Sequence, residues 1–188
     1  MSDLVVGIDL GGTKLLGLAV DVASGEVVAS GRVPTPSGAQ PVVDAIVGLI
    51  RELAEFEQLT HLLQVTPQTL RPHLFGDKPV VEALVAEADA RVVGFALFFT
   101  NFSTFLSRPG LYLEDLYVQP AQRGSGIGQA LLARLGTIAL QRGYGRFEWS
   151  VLDWNENAIR FYEKMGATVM PDWRICRIAG DELKRFGA

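Results

Sequence analysis

Short apolar runs separated by glycine-rich turns open the chain. Residues 4–9, 15–22 and 26–33 are rich in valine and leucine, and Gly11-Gly12 and Ser24-Gly25 interrupt them, which predicts a three-stranded meander. Pro34 and Pro36 then end strand pairing, because proline has no N–H and a fixed φ. From 41 to about 56 the period changes. Val42, Ala45, Ile46, Leu49, Ile50 and Leu53 fall on one stripe and Asp44, Arg51, Glu52 and Glu55 off it, which predicts an amphipathic helix. Thr66-Pro67 marks the start of a second, shorter helix, with threonine as cap and proline in the first turn.

Strand-like patterning returns at 81–88 and 92–101, joined by the tight turn Asp89-Ala90-Arg91, and 111–118 makes a third strand. A helix is expected from about 125 to 141, with Gly143 placed for a left-handed cap. A strand at 147–152, a helix at 157–165 stopped by Gly166, and a pair of short strands at 168–170 and 174–178 complete the pattern. From 41 onward, this order predicts an α/β (α+β type) fold with a mixed, largely antiparallel sheet flanked by helices.

Composition narrows the classes. With 48% hydrophobic and 20% charged residues the chain has the means to fold around a core. A formal charge of −4 and the lack of a basic run argue against nucleic acid as a partner. Met1-Ser2-Asp3 carries no basic leader, and Gly and Asp break the following apolar run, so neither a signal peptide nor a membrane span is expected. The expected location is cytoplasmic. The single cysteine, Cys176, excludes an internal disulfide and, lying in the alternating run 173–178, is expected to be a buried structural thiol. His61 and His73 have no partner spacing, so no metal is assigned.

The chemistry concentrates where Leu113-Glu114-Asp115-Leu116-Tyr117-Val118 runs toward Arg123-Gly124-Ser125-Gly126-Ile127-Gly128 and a helix. A glycine loop that opens a helix presents unpartnered N–H groups and the positive end of the dipole, which suits a phosphate. These two runs, with Asp153-Trp154-Asn155, Phe161-Tyr162 and Gly166-Ala167 in order, resemble the GNAT acetyltransferase superfamily over about residues 50–183, and within it the diamine and polyamine acetyltransferases. The resemblance implies acetyl-CoA as co-substrate. Leu116, Tyr117 and Val118 would lie along its pantetheine arm, which Leu116 and Val118 would pair as an extra strand. Arg123, Gly124, Ser125, Gly126, Ile127, Gly128 and Gln129 would surround its pyrophosphate, with Asn155, Ala158 and Tyr162 as further contacts. A main-chain N–H near Leu116 would stabilise the oxyanion.

An amine must lose a proton before it attacks a thioester, and Glu114 is the expected base. Strand alternation sends Asp115 to the opposite face, so only one of the two should enter the cleft. Tyr162 is the expected acid for the leaving thiolate, although Ile159, Tyr162 and Met165 also share the spacing of a core stripe. By resemblance, the amine meets Phe56 and Glu57 at the end of the first helix and Glu148, Trp149 and Ser150 on the later strand. Glu57 and Glu148 would hold a distal ammonium and Trp149 would add a cation–π contact, while solvated carboxylates are the ordinary alternative. Phe56 lacks the hydroxyl that some relatives carry there.

Gly7-Ile8-Asp9-Leu10-Gly11-Gly12-Thr13-Lys14, with Val33-Pro34-Thr35-Pro36, resembles instead the opening of a ROK-type sugar kinase, whose turn 9–14 grips ATP phosphates. One cysteine excludes that family's zinc cluster, and 188 residues cannot hold its two lobes, so a hairpin without nucleotide is the alternative. The expected organisation is an incomplete kinase-like meander at 1–40 and an acetyltransferase domain at 41–188. Residues 26–33 would serve as the transferase's first strand and 4–22 as an added N-terminal β-hairpin at the edge. The expected function is transfer of acetyl from acetyl-CoA to a primary amine of a small molecule: a diamine, polyamine or amino-acid-like acceptor. The alternatives are an ATP-binding kinase fragment and a silent CoA-binding or interaction module. The resemblance also implies a homodimer, with the terminal strands and Trp173 as contact surface.

Overall fold

The computed structural model describes residues 4–11, 14–21, 27–34 and 40–187. The opening meander forms as β1 (Leu4–Gly11), β2 (Lys14–Asp21) and β3 (Val27–Pro34), each antiparallel to the next. It continues into the main sheet. β1 also pairs antiparallel with β4 (Glu82–Ala88), Gly7 standing opposite Ala86. With β5 (Arg91–Ser103), β6 (Arg108–Val118) and β7 (Phe147–Trp149), the order across the sheet is β3-β2-β1-β4-β5-β6-β7. Among the described residues, β6–β7 is the only parallel pairing. This corrects the expectation that 26–33 is the transferase's first strand and 4–22 the added edge hairpin: β1 takes the place beside β4, and β3 is outermost. Both strands point the same way, so direction permits either. The nearly unbroken apolar run of β1 suits a strand paired on both sides, whereas Ser30-Gly31-Arg32 in β3 has the character of an edge.

Helices cover the two faces. α1 (Gln40–Phe56) buries Val43, Ile46, Val47, Leu49 and Ala54, a wider stripe than predicted because Val43 and Val47 are included. It packs with Leu70 and Leu74 of α2 (Pro67–Phe75) against Ala83, Val85, Phe95, Leu97 and Tyr117. α2 begins as predicted: the Thr66 hydroxyl accepts from the Thr69 N–H (3.2 Å), and the Thr69 hydroxyl accepts from the Thr66 N–H (2.9 Å). α3 (Ile127–Gln141) lies against the other face of β4, β5 and β6, where fully buried Ile127 approaches Gly94. Arg142, just past α3, forks onto both carboxylate oxygens of Glu82 in β4 (2.5 and 2.6 Å). Among the described residues no helix is long and apolar enough to cross a membrane.

Helix ends follow a common closure. After α3, Tyr144 N–H donates to Ala139 C=O and Gly143 N–H to Leu140 C=O, with Gly143 left-handed at φ +68°, as predicted. After α1, Leu59 N–H donates to Ala54 C=O and Gln58 N–H to Glu55 C=O, and the left-handed residue is Gln58, at φ +60°. This closure fixes the backbone at Glu57, the residue before it.

The chain divides at Ser150/Val151 into two compact units. In the second, α4 (Glu156–Lys164) is capped by Asn155, whose Oδ1 accepts from the Ala158 N–H (3.2 Å), and it stops at Gly166 (φ +91°) as expected. A four-residue helix, α5 (Asp181–Lys184), was not anticipated. The strands expected at 168–170 and 174–178 do not form, and β7 has three residues rather than the six expected. An extended run becomes a strand only when its N–H and C=O groups meet a partner's, and neither segment has a ladder. For the same reason Cys176 is exposed rather than buried: alternation alone supplies no face to cover it.

Candidate active site

The central feature is a change of register in β6. Phe98 of β5 stands opposite Leu113, and Leu97 opposite Asp115, so Glu114 has no counterpart: it is a β-bulge. The bulge resets which way side chains point. Residues directly opposite on neighbouring strands share a face. Leu111 and Leu113 therefore lie with Phe98 on the α3 side, and after the bulge Leu116 and Val118 take that side. Asp115 and Tyr117 join Leu97 and Phe95 on the α1 side. Glu114 itself is exposed. Asp115 and Glu114 are on different footings, but simple alternation does not describe them.

Asp115 is half-buried, and its pKa is pushed up to about 7. Desolvation is the main cause, followed by repulsion from Glu114 and then from Glu57. Glu57, half-buried at the end of α1, is itself raised by burial. Three carboxylates from two elements thus converge at the bulge. Sequence reasoning placed Glu57 and Glu114 here and missed Asp115; the Glu-Asp pair was visible, but the bulge that turns Asp115 toward α1 was not.

The later strand is arranged differently. Glu148 Oε1 accepts from Asn101 Nδ2 (2.7 Å) and pairs with Arg146 (3.0 Å), so its charge is already met by a cation. The Trp149 ring packs on Phe147, with centroids 4.8 Å apart. The hydroxyls of Ser150 and Tyr112 are 3.0 Å apart. Asn101 and Arg146, which hold Glu148, had no sequence signal beyond being polar residues in strand-like surroundings.

The glycine loop has the form that a phosphate needs. Gly124 and Gly126 are left-handed (φ +81° and +88°), and Gly126 directly precedes the first turn of α3. Ser125 folds its hydroxyl back onto the Gln122 carbonyl (2.6 Å). Ile127 is buried and anchors the turn, while Gln129 is exposed. Beside the loop, the β6–β7 ladder ends at Leu113 and Trp149, so among the described residues of the first unit no strand pairs with the outer edge of β6 from Glu114 to Val118. These residues fit acetyl-CoA: a left-handed glycine loop at a helix N-terminus for the pyrophosphate, and an open strand edge for the amide-bearing arm. Arg123 is turned to another task. Its Nε donates to the Val118 carbonyl (2.9 Å), and its guanidinium lies over the rings of Phe56 (5.1 Å) and Tyr117 (5.5 Å). In the second unit, Tyr162 is half-buried on α4 with its ring 5.4 Å from that of Phe161, and Asn155 and Ala158 are occupied in the helix cap.

Comparison with known proteins agrees with this arrangement. The chain is 34% identical to the L-ornithine N5-acetyltransferase of Arabidopsis thaliana, over 81% of this chain and 85% of that protein. It is 37% identical to the thialysine N-epsilon-acetyltransferase of Mus musculus, over 75% and 89%. Among solved structures, an integron cassette protein from the mobile metagenome of V. cholerae superposes with a TM-score of 0.65 at 26% identity, covering 79% of this chain and 93% of that one. The sugar-kinase resemblance of the first 50 residues finds no support here, and the turn at residues 12–13 lies outside the described residues. The Acetyltransferase (GNAT) family profile matches residues 49–167, and the chain is a GNAT acetyltransferase.

Proposed function

We propose that this enzyme transfers acetyl from acetyl-CoA to a terminal primary amine of a small diamine, polyamine or amino-acid-like acceptor. The observation that carries the reading is the convergence of Glu57, Glu114 and Asp115, with Asp115 pushed up to about 7. Mutually repelling, partly desolvated carboxylates are relieved by a bound cation, such as the ammonium of an amine acceptor. The names of the ornithine and thialysine enzymes, which place acetyl on side-chain nitrogens, support the same acceptor class. Glu148 contributes less to this reading, because Arg146 already neutralises it.

When bound, acetyl-CoA supplies an electrophilic thioester carbonyl. Glu114, exposed at the bulge, would take one proton from the bound ammonium directly or through water, so that the neutral amine attacks; Tyr162 would give a proton to the departing thiolate as the C–S bond breaks and regain one from the nitrogen, directly or through water. A main-chain N–H near Leu116 donates to the carbonyl oxygen. Glu57 and Asp115 hold a distal ammonium, so the reacting nitrogen is presented at the end of the chain. We propose a homodimer as the working form; the exposed Trp173, Ile175 and Ile178 of the terminal segment support a contact there.

The test is release of free CoA from acetyl-CoA with putrescine, spermidine, ornithine, thialysine and a monoamine of equal length. Turnover of at least one doubly cationic acceptor, well above the monoamine, is expected. Thermal stabilisation by acetyl-CoA with no turnover of any amine would leave a silent CoA-binding module instead.

A further inference from the structure

One side chain of α1 reaches across to β6 at two points. Glu52 accepts from the Tyr117 phenol at Oε2 (3.1 Å) and from Gln119 Nε2 at Oε1 (2.9 Å). A turn later on the same helix, Phe56 supplies a ring to the Arg123 guanidinium, and Tyr117 supplies the other. Arg123 is in turn tied to Val118 through its Nε. The last turn of α1 is thus attached to β6 and to the start of the glycine loop by two hydrogen bonds to a carboxylate and a shared cation. Hydrogen bonds to a charged carboxylate are stronger than exposed cation–π contacts. Glu52 is therefore the stronger fastening.

Its location gives it a consequence for the acceptor. Glu57 follows Glu52 by five residues, and the left-handed closure at Gln58 hydrogen-bonds the backbone on either side of it to the last turn of the helix. Asp115 lies two residues before Tyr117 on the same face of β6. The fastening at Glu52–Tyr117 therefore fixes how Glu57 is presented to Asp115. We propose that Glu52 is a positioning residue that sets Glu57 against Asp115 for the acceptor's distal ammonium, and that Phe56 is a platform for Arg123. The proposal rests on the reading of that carboxylate group as the amine site.

The experiment is steady-state kinetics of Glu52→Ala and Glu52→Gln with the best acceptor. Glu52→Ala is expected to raise the amine KM roughly tenfold, the equivalent of one lost hydrogen bond of about 1.4 kcal/mol, and to change kcat and the acetyl-CoA KM by less than about threefold. Glu52→Gln, with a single acceptor oxygen, is expected to fall between. In a Glu57→Gln background the Glu52→Ala substitution should add less than about twofold, because the group it positions is gone. A bracing role unconnected with the acceptor would lower the melting temperature and leave the amine KM of the folded fraction unchanged. That result, or effects that multiply in the double variant, would overturn the proposal. If Glu52→Ala does not fold, Glu52→Gln is read by the same criteria. A wild-type enzyme that acetylates no amine removes the site reading itself; an active wild type with an unaltered Glu52→Ala removes only this inference.

Discussion

Leu97 of β5 stands directly opposite Asp115 of β6, and the two share the face that α1 covers. A carboxylate has been carried to the edge of an apolar layer, and its pKa rises to about 7. The folded state then holds a proton that the unfolded chain releases, so Asp115 lowers stability progressively from about pH 4 to pH 7 and by its full amount above. Asp115→Asn is expected to raise stability at pH 8 by about 1–2 kcal/mol, once the shift is discounted for partial solvent access. That corresponds to roughly 2–8 °C in Tm for a chain of this size. The gain should vanish near pH 4. Melting curves at both pH values check it, and equal curves at pH 8 would refute the assignment.

Loss of the proposed base or acid should appear in kcat. Glu114→Gln and Tyr162→Phe are each expected to lower kcat by about 10²-fold or more, with modest changes in either KM. Both side chains are exposed or half-buried, so far-UV spectra should be unaltered. Single-turnover rates distinguish chemistry from product release; an unchanged chemical rate in either variant would remove that residue from its role.

Gly126 has φ +88° immediately before α3. A Cβ in the left-handed region costs about 1–2 kcal/mol, and escaping that strain would move the loop. Gly126→Ala is expected to raise the acetyl-CoA KM by about tenfold or more while the amine KM changes little. Titration of acetyl-CoA by calorimetry gives the same comparison without turnover.

Asp89 and Ala90 are both left-handed (φ +50° and +59°) in the two-residue turn between β4 and β5. That is a type I′ hairpin turn, which favours glycine at its second position. Ala90→Gly should stabilise the protein by about 0.5–1 kcal/mol, read as a higher urea midpoint with the same slope. Gln58→Gly, at the closure of α1, should act in the same direction.

The local chemistry of the chain was sufficient for much of the fold. Thr66-Pro67 started α2, Gly143 and Gly166 ended their helices, and the apolar stripe after Pro41 became α1, because caps and amphipathic stripes act over one or two turns. The glycine loop and the strand before it were likewise legible, since a left-handed glycine turn is a local arrangement of backbone. The segments at 168–170 and 174–178 failed for the complementary reason: their alternation was genuine, but strands are made by pairing.

What only the tertiary structure decided depends on register and on contacts between distant residues. Sequence alternation assigned Asp115 to the face opposite Glu114, but the bulge at Glu114, visible only against Phe98 and Leu97, turned Asp115 toward α1 and gave it its raised pKa. Glu148 looked free to hold an ammonium until Asn101 and Arg146 closed on it. Glu52 looked like a solvated helix residue until Tyr117 and Gln119 reached it across 65 and 67 positions of chain. By itself the sequence determined the family, the helices α1 to α4 and the loop, because those follow from short-range spacing. The burial and charge partners of each carboxylate followed from which strand residues came to face one another.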